Sequence, residues 1–177
     1  MSPAEERALK MLNTALEMEE KGRSFYEKAI TGCGTSVGTQ IFEMLRNDEI
    51  IHVERIKQIY TALQGGGDWN EGWKSLNPDH AALTGVFRAL AQKHGEDIGT
   101  CTDDIKALEV GIEFEEKAVT FYTEQLESAS DALEKQFIEK MIVEETDHHQ
   151  ALVDMHFYLT DPESYFIETE KHGLDGA

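Results

Sequence analysis

Between Ile41 and Leu63 the apolar residues recur at alternating steps of four and three, the spacing that lines one face of a helix. The line runs Ile41, Leu45, Glu49, His52, Ile56, Ile59, Leu63, so a glutamate and a histidine stand where core residues belong. A second segment repeats the pattern as Phe137, Met141, Glu145, His148, Leu152, Met155, Leu159. An ionised carboxylate in an apolar interior costs several kcal/mol unless something compensates it. Glu49, His52, Glu145 and His148 therefore point inward and call for a partner.

The same periodicity delimits the helices. Ser2 and Pro3 followed by Glu5 and Glu6 form a helix start, with an N-cap, a first-turn proline and acids favoured by the helix dipole. The spacing predicts helix 1 to about Ile30, a break at the glycine-rich Thr31–Gly38, and helix 2 to about Leu63. A turn-rich connection from Gln64 contains a short helix over Ala81–His94. Thr102, Asp103 and Asp104 cap helix 3, which runs to about Ser128, and Asp131 with Glu134 forms a capping box opening helix 4 to about Leu159. No segment carries the period-two alternation of a strand. The expected fold is all-α: one four-helix bundle over residues 1–160, made of two helical hairpins joined by a long crossover, with residues 161–177 as a tail packed on it.

The two hairpins are copies of one another. ALEMEEKGRSFY from Ala15 and GIEFEEKAVTFY from Gly111 match at six of twelve positions with an offset of 96 residues, and the same offset carries Glu49-x-x-His52 onto Glu145-x-x-His148. The inward line of helix 1 is Leu12, Ala15, Glu19, Gly22, Tyr26; that of helix 3 is Leu108, Ile112, Glu115, Ala118, Tyr122. Glu19 and Glu115 thus face the interior that receives the two E-x-x-H motifs. Their neighbours Glu20 and Glu116 turn about 100° away, toward solvent.

One glutamate from each of two helices and Glu-x-x-His from each of the other two is the ligand set of a two-metal site in a helical bundle. Four carboxylates and two neutral imidazoles around two divalent ions sum to about zero charge, which a buried site tolerates. Carboxylate with imidazole suits iron or manganese. Tyr26 and Tyr122, two turns beyond Glu19 and Glu115, are placed to hydrogen-bond the carboxylates of the opposite helix. His80, His94 and His172 fall in connections or at the terminus, and His149 and His156 lie beside the inward line of helix 4, so these five are expected at the surface or rim. Trp69 and Trp73 are expected to form a lid over the bundle end.

Composition narrows the partners. With 35 Asp and Glu against 16 Lys and Arg, the formal charge is -19, which repels nucleic acid and anionic membrane surfaces. No apolar run approaches the roughly 20 residues of a membrane span, and the N-terminus has no signal-peptide core, so the cytoplasm is the expected location. Cys33 and Cys101 form no C-x-x-C pair and are read as free thiols.

Taken together, E-x-x-G/A-x-x-x-Y in helices 1 and 3, E-x-x-H in helices 2 and 4, and the closing DPESYF...HGLDGA resemble the rubrerythrin branch of the ferritin-like superfamily, across nearly the whole chain. The resemblance implies a ferritin-like fold, a di-iron cofactor, a homodimer, and reduction of hydrogen peroxide or O2 coupled to Fe(II) oxidation in oxidative-stress defence. It further implies that Glu19 and His52 terminate one metal, Glu115 and His148 the other, and that Glu49 and Glu145 bridge them. Two departures are visible. There are no paired C-x-x-C motifs of a rubredoxin domain, so electrons are expected from a separate, rubredoxin-like donor protein, or from Fe(II) itself as the reductant. Ala118, with Gly22 at the matching position, stands where rubrerythrins carry an additional glutamate. A ferroxidase or iron carrier, a dimanganese catalase-like protein and a purely structural bundle remain as alternative readings.

Overall fold

A computed structural model describes residues 2–32, 35–95 and 102–174. Among them the chain forms six α-helices and no strand: α1 Pro3–Gly32, α2 Ser36–Gln64, α3 Leu83–His94, α4 Thr102–Ser128, α5 Ala132–Thr160 and α6 Pro162–Leu174. A single 3-10 turn, Gly72–Ser75, lies between α2 and α3. Cys33 and Cys101, and the side chains of His94, Thr102, Asp103 and His172, lie outside the described residues. No helix among the described residues is long and apolar enough to cross a membrane.

The helix ends follow local chemistry. Ser2 Oγ accepts from the Glu5 N–H while Glu5 reaches back to the Ser2 N–H, a closed capping box that starts α1. Thr35 caps α2 through the Gly38 N–H. Asp131 caps α5 by accepting from Leu133 and Glu134 at 2.7 and 3.1 Å. Glu134 does not complete a box with Asp131: its carboxylate accepts from the Ser130 N–H and takes a two-pronged ion pair from Arg7 of α1, at 2.7 and 2.8 Å. The crossover helix begins two residues later than its sequence signals, because its first N–H groups are capped from outside. Asp147 of α5 accepts from the Leu83 N–H at 2.5 Å and from the Thr84 hydroxyl at 2.8 Å.

α1 packs along α2 and α4 along α5, as two hairpins; α1 also meets α4, and α2 meets α5, closing the bundle. α3 lies against α5 and α2. The tail forms α6, whose Tyr165 is buried against Phe87 of α3 and Phe157 and Tyr158 of α5. Two apolar cores result. One gathers Tyr26, Ile41, Phe42, Leu45, Phe87, Leu108, Leu152, Met155 and Tyr158; the other gathers Met11, Leu12, Ile56, Ile59, Tyr122, Phe137 and Met141. Trp73 is buried in the second core, edge-on to Phe137 with ring centres 5.6 Å apart, and Trp69 lies 6.0 Å from the same ring. Between the cores, each stripe passes through its Glu and His residues, so the polar layer sits mid-bundle, shielded at both ends.

Candidate metal centre

The six residues singled out by periodicity converge in this layer. Glu19, Glu49, His52, Glu115, Glu145 and His148 are each no more than 2 % exposed. Their ligand atoms form two groups that could each hold a metal ion, one of Glu19, Glu49 and His52 and one of Glu49, Glu115, Glu145 and His148, with atoms within 4.8 Å of one another in each. Glu49 belongs to both. Glu145 spans the two imidazoles, Oε1 lying 3.0 Å from His52 Nδ1 and Oε2 3.3 Å from His148 Nδ1. The imidazole rings are stacked with centres 5.5 Å apart.

Hydrogen bonding does not account for these groups. Both carboxylate oxygens of Glu49, Oε2 of Glu115, Oε1 of Glu145 and Nδ1 of His148 are buried without a hydrogen-bond partner. Each such orphan costs about 1–3 kcal/mol. All are lone-pair donors once deprotonated and converge on common points, so the residues fit a divalent cation. Without a cation, protons take up the imbalance. Burial, then the carboxylates of Glu19, Glu145 and Glu115, pushes the Glu49 carboxyl well above the usual range. Burial and Glu145 do the same to Glu115. Burial opposes the charge on His52, yet Glu145, Glu144 and Glu19 outweigh it and raise its pKa; Asp48 and Glu145 likewise raise His148. Glu145, despite its burial, is held well below the ordinary carboxylate range by the two imidazoles.

Both tyrosines reach across the bundle. The Tyr26 hydroxyl of α1 donates to Glu115 of α4, and the Tyr122 hydroxyl of α4 donates to Glu19 of α1 at 2.5 Å. The carboxylates of Glu115 and Glu19 are thereby each aimed by the opposite hairpin. Burial and the facing glutamates push both phenol pKa values well up, so both act as donors. Gly22 makes room for the shared carboxylate: a Cβ there would lie 2.8 Å from Phe114 Cε1 and 3.0 Å from Glu49 Oε2. Ala118, its counterpart in α4, is buried.

Behind the imidazoles stands a layer that periodicity misses. His148 Nε2 faces Asp48 Oδ2 at 3.1 Å, and Asp48 Oδ1 lies 3.0 Å from His80 Nε2. His52 Nε2 lies 3.2 Å from Glu144 Oε2, off the line of a well-formed hydrogen bond. Glu144 is gripped by the fully buried guanidinium of Arg55 and by Lys140 at 3.0 Å. Burial pushes its carboxyl up, but His52 and Arg55 outweigh that and hold it well below the usual range. Asp48 and Glu144 occupy equivalent positions of the two hairpins, each immediately before a ligand glutamate, and that pairing in the repeat is the signal that could have revealed them. A pocket of about 300 Å³, lined by Asp48, His80, Lys140, Glu144, Asp147 and His148 among others, opens behind this layer.

The remaining histidines stay outside the cluster. His149 is half-buried among Glu116, Val119 and Thr146, and His156 is half-buried with Nε2 3.8 Å from Glu109. His80 lies at the pocket rim as its place in a connection suggests, but its ring also reaches Asp48. Glu20 and Glu116 point outward, Glu20 pairing with Lys57 at 2.9 Å.

Comparison with protein families, with curated proteins and with solved structures finds no match for this chain.

Proposed function

We propose that this chain is a ferritin-like, non-haem di-iron oxidoreductase that reduces hydrogen peroxide or O2 with oxidation of Fe(II), drawing on an external electron donor. The observation that carries the reading is the pair of ligand groups joined through Glu49, two metal positions sharing a carboxylate. Iron fits because the donors are carboxylates and imidazoles with no thiolate. Two bound irons would supply two electrons to an O–O bond in one encounter.

The chain's own residues prepare that chemistry. Asp48 accepts the Nε2 proton of His148, which leaves the Nδ1 lone pair free to face the centre. Glu144 stands at the equivalent place behind His52, 3.2 Å from its Nε2, as a charge rather than a well-formed hydrogen-bond acceptor. Tyr26 and Tyr122 fix the terminal carboxylates Glu115 and Glu19, so that neither swings away when charge changes. The apolar cores on both sides exclude water from the ends of the site.

A second reading, a ferroxidase or iron carrier, draws on Gly22 and Ala118: neither carries the additional carboxylate, and at Gly22 the space a side chain would need is taken by Phe114 and Glu49. Anaerobic stopped-flow on protein loaded with two Fe(II) per chain separates the two. Oxidation much faster with hydrogen peroxide than with O2 is expected; O2 reacting as fast or faster gives the ferroxidase reading the lead. Glu49→Ala combined with Glu145→Ala should abolish metal binding. A double variant that still holds two metals by elemental analysis would sink both readings.

A further inference from the structure

The two halves of the centre, alike in their ligands through the duplication, are backed by different charges. Behind His52 stands Glu144, held by two cations, Arg55 and Lys140. Behind His148 stands Asp48, whose other oxygen, among the described residues, meets the imidazole of His80. The duplication does not reproduce the cations: the positions 96 residues from Arg55 and Lys140 hold Ala151 and Met44, while His80 belongs to the crossover. Arg55 cannot lose its proton, and its charge is fully buried, where screening is weak. Glu144 with its two cations presents a net positive charge to a metal at His52. Asp48 with His80 presents at most a neutral pair to a metal at His148.

The ligand geometry leans the same way. Four residues converge on the His148 side, Glu49, Glu115, Glu145 and His148, and three on the His52 side, Glu19, Glu49 and His52. A less positive surround and one more carboxylate both favour a dication. We infer that the centre fills in order, the His148 half first and more tightly, with Arg55 and Lys140 as positioning residues that weaken the His52 half by claiming the charge of Glu144.

This inference rests on the two-metal reading, and titration of the metal-free protein with cobalt(II) under argon tests them separately. Calorimetry counts the ions, and the visible cobalt spectrum reports their coordination. Two resolved steps are expected. His148→Ala should remove the tighter step and His52→Ala the weaker one. Lys140 is 39 % exposed, so Lys140→Gln is expected to leave the fold intact. It should tighten the second step by about threefold and leave the first unchanged. Asp48→Asn should do the reverse, weakening the first step about tenfold with little effect on the second.

A merely structural role for Lys140 would move both steps or neither, and Lys140→Arg, which restores the charge, should restore the wild-type second step. One unresolved step with two ions bound, ligand variants that remove the steps in the opposite order, or a Lys140→Gln protein indistinguishable from wild type would overturn the inference and leave the two-metal reading standing. No cobalt bound by the wild-type chain would overturn the two-metal reading itself.

Discussion

Six ionisable side chains packed between apolar layers make the metal-free protein sensitive to protons in a definite direction. Glu49 and Glu115 titrate above their ordinary value of 4.5, and His52 and His148 above 6.5. A group that holds its proton more firmly folded than unfolded stabilises the native state at low pH. The glutamates contribute fully below 4.5 and the histidines below 6.5, and each contribution fades as pH rises toward the folded value. Glu144 and Glu145 act oppositely, stabilising above 4.5 and losing that effect only as pH falls below it. Between pH 6 and 8 the contributions of Glu144 and Glu145 are fully present and constant, and only the fading ones change. The thermal midpoint of the metal-free chain should therefore fall from pH 6 to pH 8 in scanning calorimetry, whereas with divalent metal it should hold or rise, since metal binds the deprotonated ligands. At Gly22 a single methyl group decides the position of Glu49. Gly22→Ala should lower stability by about 1–3 kcal/mol in denaturant titration, as overpacking does, and weaken metal binding with it.

The buried Glu and His cluster was legible because a helix repeats every 3.6 residues and the hairpin repeats every 96, two periods that place Glu19, Glu49, His52 and their copies without any tertiary information. Asp48, Glu144, Arg55 and His80 obey neither rule fully. Asp48 and Glu144 sit one residue off the inward stripe, where a carboxylate reads as solvated, and Arg55 and His80 meet them only through contacts across elements. At the scale of elements the same division holds. Helix starts at Ser2 and Asp131 announced themselves by local chemistry, while the start of α3 did not, because its cap comes from Asp147, 64 residues away in sequence. Asp147 neighbours His148, so this contact ties the crossover helix to the centre. Asp147→Ala should cost about 1–2 kcal/mol of stability, the value of a helix cap, and should raise hydrogen exchange at the first turn of α3 ahead of the rest of the chain.

For the whole molecule the dominant long-range force is its own charge. At -19 over 177 residues, the surface repels itself, and exposed pairs such as Lys117–Glu113 at 3.5 Å offset little of that. Raising salt from about 10 to 150 mM shortens the Debye length from about 30 to 8 Å. Stability of the metal-free chain, read by urea titration, should therefore increase over that range; a decrease would mean that attractive pairs outweigh the repulsion. The all-helical class and the helical hairpins were legible from pattern, since long amphipathic helices leave few other packings. How the crossover lies on the bundle was not, since turns carry no period.

Arg55 gives that crossover an unusual anchor. Its Nε donates at 2.8 Å to the carbonyl oxygen of Leu76, a group that every residue type possesses. No substitution at position 76 can delete the acceptor; only a change in the course of the chain can. The crossover is therefore free to drift in side-chain identity while its path past the centre stays pinned, and related chains would show conserved trace and variable letters there.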